Sequence, residues 1–102
     1  MRALVLAALL ACGGPQPPAT PPAPTCERTA GALIELVAAG HDPRPPDDTI
    51  ARLVGELRGH CERTAWSPEA RTCLAAVKTA EDVARCSELL SDAQQAALAP
   101  PQ

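Results

Sequence analysis

Phenylalanine and tyrosine are missing from this sequence of 102 residues, and Trp66 is its only aromatic side chain. Aromatic rings supply the largest buried areas in most cores. A core here must therefore be assembled from Leu, Ile, Val and abundant Ala, each contributing little area. Lysine is scarce as well: Lys78 stands beside eight arginines, and these are scattered singly among twelve acids. The net charge is −3, with no basic cluster and no aromatic platform for phosphates and bases, so no nucleic-acid partner is expected. No apolar run approaches the ~20 residues that span a bilayer. C-x-x-C, G-x-S-x-G, H-E-x-x-H and P-loop patterns are all missing, which removes the main signs of thiol exchange, acyl hydrolysis, zinc proteolysis and nucleotide binding. The expectation is a non-enzyme with no catalytic, cofactor or metal site.

Cysteine, by contrast, is plentiful: five in so short a chain suggest disulfides formed in an oxidising compartment. The first, Cys12, is set apart from the rest. Met1 and Arg2 form a minimal positive start, residues 3–10 are unbroken apolar, and the small Ala11 precedes the cysteine, the order of a secretory signal. Leu9-Leu10-Ala11-Cys12 resembles the lipobox of bacterial lipoproteins. That resemblance implies a signal peptide over residues 1–11, acylation of the Cys12 sulfur, and Cys12 as the mature N-terminus held to the membrane by its lipid. Gly13 instead of aspartate after the cysteine favours the outer membrane. Residues 13–25, GGPQPPATPPAPT, carry six prolines and no charge. Such a segment favours extended polyproline II and spaces a domain up to ~40 Å from its anchor at ~3.1 Å per residue.

From Cys26 onwards the apolar residues recur at helical spacing, and strand-type alternation is nowhere sustained. The first stripe is Cys26, Ala30, Leu33, Ile34 and Val37, with Thr25 as N-cap and Gly40 as stop. After the breaker HDPRPP a second helix carries Ile50, Leu53, Val54, Leu57 and Cys61, capped by Asp47 or Asp48. WSPEA starts the third helix, with Ser67 as cap and Pro68 at the first helical position; its stripe is Ala70, Cys73, Leu74 and Val77. Thr79 and Asp82 resemble a capping box for a last helix bearing Val83, Cys86, Leu90, Ala93 and Ala97. The fold class is all-α: a four-helix domain over 26–99, built as two antiparallel hairpins, with 100–102 as a tail.

Cys26, Cys61, Cys73 and Cys86 all fall on these stripes, and lipidation of Cys12 leaves them an even set. In an antiparallel hairpin, residues level with each other lie symmetrically about the loop. Cys26 and Cys61 are symmetric about HDPRPP, and Cys73 and Cys86 about Thr79, so one clip per hairpin is preferred. The rival set, Cys61 with Cys73 and Cys26 with Cys86, is symmetric about Ser67 and stays open. The segment from Cys61 through Trp66 to Cys73, with Cys86 beyond, is similar to cysteine-framed helical segments in small envelope lipoproteins of GC-rich bacteria, a likeness that brings no activity.

Trp66 invites two readings: a cover for the junction between the hairpins, or an exposed anchor for a partner, since Trp is enriched at interface hot spots. The functional expectation is a lipid-anchored, non-catalytic module that mediates protein–protein interaction at the cell envelope. The alternative is a small envelope enzyme or inhibitor working in a shallow pocket between the hairpins.

Overall fold

The structure is a computed structural model, and it describes residues 21–98. The leader over 1–11, the lipidation of Cys12, the first part of the spacer and the tail lie outside the described residues. Among the described residues the fold is all-helical, in the order α1 (Cys26–Ala39), α2 (Asp47–Arg63), α3 (Pro68–Ala75), α4 (Ala80–Ser87) and α5 (Asp92–Gln95), followed by a 3₁₀ turn (Ala96–Leu98). None of these helices is long and apolar enough to cross a membrane.

Local chemistry sets most helix starts. Thr25 accepts a hydrogen bond from the Arg28 amide, and Ser67 accepts one from the Ala70 amide with Pro68 behind it. Thr79 and Asp82 form a complete reciprocal capping box. The start of α2 differs from expectation. Pro46 occupies the N-cap position and neither Asp47 nor Asp48 caps the helix; the Asp48 carboxylate instead accepts from the Thr49 amide at 2.9 Å. Both acids still sit in the first turn, where the helix dipole favours negative charge.

Each hairpin carries its own clip. Disulfides join Cys26 to Cys61 between α1 and α2, and Cys73 to Cys86 between α3 and α4, with Cα–Cα separations of 5.7 and 5.6 Å. α1 packs against both α2 and α3, which makes it the central element. Its second buried side explains a residue that the apolar stripe omitted. Thr29 is fully buried and its hydroxyl donates to the Arg71 carbonyl of α3 at 3.2 Å, so a polar group satisfied across the helix pair replaces an aliphatic one. Leu33, Leu57, Cys61, Trp66, Leu74 and Cys86 lie in the same core.

Two ends of the chain path are less regular than the periodicity predicts. α2 stops in a Schellman arrangement: the Ala65 amide donates to the Glu62 carbonyl at 3.4 Å and the Trp66 amide to the Cys61 carbonyl at 3.1 Å. Ala65 takes the left-handed conformation that this requires, at φ 51°. The expected single last helix is broken. α4 ends at Ser87, Leu89 and Leu90 form a turn, and Ser91 starts α5 through a second capping box with Gln94. S-D-A-Q carries the sequence signature of that box; the longer apolar spacing masked it.

Candidate interaction groove

The lengths of the helices decide where apolar surface is left open. α2 has 17 residues and α1 has 14, whereas α3 and α4 have 8 each. At helical rise the first hairpin is about 21–25 Å long and the second about 12 Å. The second hairpin cannot cover the whole face of the first. Leu57 and Cys61, near the end of α2, are buried; Ile50, Leu53 and Val54, near its start, are only half-buried.

The uncovered remainder is a trough of about 630 Å³ between the two hairpins. One wall is the second half of α1 with Leu33, Ile34, Leu36 and Val37, and the other is Leu53 and Leu57 of α2. Val83 of α4 and Ala97 and Leu98 of the terminal turn close its sides. His41 is the one polar lining residue. Val37, expected in the core stripe, is 52% exposed and forms part of the rim.

The terminal turn reaches the trough because glutamines tie it down. Gln94 donates from Nε2 to the Thr64 carbonyl at the end of α2, at 2.6 Å. Gln95 donates to the carbonyls of Ser87 and Leu90, at 2.8 and 3.1 Å. Those bonds fold the chain end back across the molecule, and Ala97 and Leu98 follow into the wall. Nothing in an apolar spacing encodes contacts 30 residues apart, so this wall was not legible beforehand.

A second depression adjoins the first. It shares Ile34, Leu53, Leu57 and Ala97 with the trough and adds Glu56, His60 and Arg63. Glu56 is held by Arg52 at 3.2 Å. At the loop end of the hairpin, Arg44 grips Glu35 through two bonds of 2.8 and 2.9 Å; that two-point contact holds the Glu35 carboxyl below its ordinary range and raises the guanidinium.

Trp66 lies elsewhere. It is 4% exposed and belongs to the core, with the His60 ring edge-on at 6.1 Å between centroids. It therefore fits the first of its two readings, covering the junction, and presents no surface to a partner. Cys61 and Cys86 are buried and Cys26 and Cys73 half-buried, all four in disulfides. Among the described residues no group of His, Cys, Asp and Glu is placed to hold a metal ion.

The end of the proline-rich spacer is fixed on another part of the surface. Arg71 of α3 donates to the Pro24 carbonyl at 3.1 Å, and Pro21 and Ala23 lie beside Pro68, Glu69 and Thr72. None of these residues lines the trough. Comparison with protein-family models, with curated proteins and with solved structures finds no match, so the groove's role has to be read from its own geometry.

Proposed function

We propose that this protein is a non-catalytic helical module, anchored to the bacterial envelope by a lipid on Cys12, that presents the trough between its hairpins to a protein partner. The observation that carries this reading is the lining: nine aliphatic side chains and a single histidine. Catalysis needs converging acid, base or nucleophile groups within hydrogen-bond reach of one reacting atom. An open apolar surface suits recognition instead. The alternative of an envelope enzyme or inhibitor draws little from a pocket whose polar contribution is His41.

The tether supports the same reading. The described end of the spacer, residues 21–24, lies against α3 and shares no lining residue with the trough, which is consistent with a docking face separate from the tether. Two acyl chains at ~0.8 kcal/mol per buried CH₂ make release into water rare. The test is crosslinking from a photoreactive side chain at His41, which lines the same trough, in the native membrane, followed by pull-down. A reproducible partner lost on Val37→Asp supports the module. Absence of any reproducible crosslink counts against it, and mass spectrometry showing an unmodified chain still beginning at Met1 removes the anchor.

A further inference from the structure

The trough runs beside residues 33 to 41, about 12 Å at helical rise, which matches slightly more than two turns of an incoming helix. Among the described residues it is only partly enclosed. Ile34, Leu36, Leu53 and Leu98 are half-buried, and Val37 at the rim is 52% exposed. Small apolar ligands are held where roughly 70–90% of their surface is covered, and a fatty-acyl chain here would stay wet on one side. An amphipathic helix has the opposite requirement: one stripe buried, the rest solvated.

Charge distinguishes the two ends. At one end Arg44 is fully engaged by Glu35. At the other the adjoining depression holds Arg63, whose guanidinium folds back over Gly59, with Nη1 2.7 Å from the point a β-carbon would occupy there. Glu56 is engaged by Arg52 and Glu62 by Arg58, and among the described residues Arg63 makes no ion pair. A positive charge thus stands at the end of an apolar trough.

We infer that the trough docks an amphipathic helix of about two turns from another envelope protein, with an acidic side chain at the end of its apolar stripe set against Arg63. The inference rests on the proposed module for the partner's location; the chemistry of recognition rests on the trough alone.

The test uses the full chain and a synthetic helical peptide bearing leucines at i, i+3 and i+7 with a glutamate one turn beyond. A twin peptide carries lysine in place of the glutamate. The glutamate peptide binds more tightly than its twin. Arg63→Glu weakens it by about fivefold and reverses the preference, and Val37→Asp weakens both by about tenfold. Both positions are exposed, and circular dichroism confirms that each variant keeps its helices. Equal binding of the two peptides, indifferent to Arg63→Glu, overturns the inference. So does saturable binding of laurate with neither peptide bound, or a self-association abolished by Val37→Asp, which would assign the trough to a second copy. Failure of the peptides alongside a reproducible partner that is lost on Val37→Asp removes the helix while leaving the module in place; an unacylated Cys12 removes the anchor while leaving the peptide result.

Discussion

Ala65 holds a backbone conformation that an L-residue adopts at a cost. Its φ of 51° puts the β-carbon against the carbonyl side of the chain, a penalty of roughly 1–2 kcal/mol that glycine escapes. Glycine also has more freedom to lose from the unfolded chain, so the two terms partly cancel. Ala65→Gly is expected to stabilise the domain by about 0.5–1 kcal/mol, read as a rise in the denaturation midpoint, whereas Ala65→Val should lower it. The same turn delivers Trp66 to the core, where it is 4% exposed. Its fluorescence should be blue-shifted and resistant to acrylamide in the oxidised protein, and shift to the red with loss of resistance on unfolding; a red-shifted native emission would contradict its burial.

Single helices owe their boundaries to a few hydrogen bonds with side chains. In α4, Asp82 accepts from the amides of Lys78 and Thr79 at 2.9 and 3.2 Å and from Arg85 at 2.7 Å. The Lys78 amide is the largest influence, and together these donors hold the carboxyl below its ordinary value. A carboxyl depressed in the folded state contributes stability that is fully present above its unfolded value, ~3.9, and is lost as pH falls through the folded one. Thermal midpoints followed from neutral pH down should therefore drop below about pH 4, and Asp82→Asn should flatten part of that drop. An identical acid limb in the variant would contradict the assignment. In α5, Gln94→Ala removes one arm of the capping box and the bond to Thr64, at a cost of about 1 kcal/mol. Amide exchange should rise selectively over 92–98, and docking at the trough should weaken because Ala97 and Leu98 lose their support.

The two disulfides act on the molecule entire. They close segments with sequence separations of 35 and 13 residues, for which the chain-entropy relation gives about 4 and about 3 kcal/mol. Together these rival the whole stability of a domain this small, at roughly 0.05–0.15 kcal/mol per residue. Reduction should unfold it. Replacing Cys26 and Cys61 by alanine should cost about 1 kcal/mol more than replacing Cys73 and Cys86, with urea midpoints as the readout. A non-reducing tryptic map should recover the Cys26 peptide with Cys61 and the Cys73 peptide with Cys86. A linked Cys61 and Cys73 would overturn the connectivity.

Helix class, the caps Thr25, Ser67 and Thr79, and the preferred though not unique pairing of the cysteines were legible in the chain because each depends on short-range rules: 3.6-residue periodicity, a hydroxyl before a helix, and the symmetry of a hairpin about its loop. Val37 and Thr29 show where such rules end. They lie about two turns apart on one helix, yet the apolar one is half-exposed and the polar one fully buried. The short second hairpin covers α1 through α3 near Thr29 but closes only partly over the second half of α1, where Val37 lies. The reach of Gln94 to Thr64 likewise depends on a contact across the molecule. An amphipathic pattern says which residues avoid water, and local composition says where helices start and stop. Which apolar residues are left over as a trough follows from the relative lengths of packed helices, and only the assembled tertiary structure brings those lengths face to face.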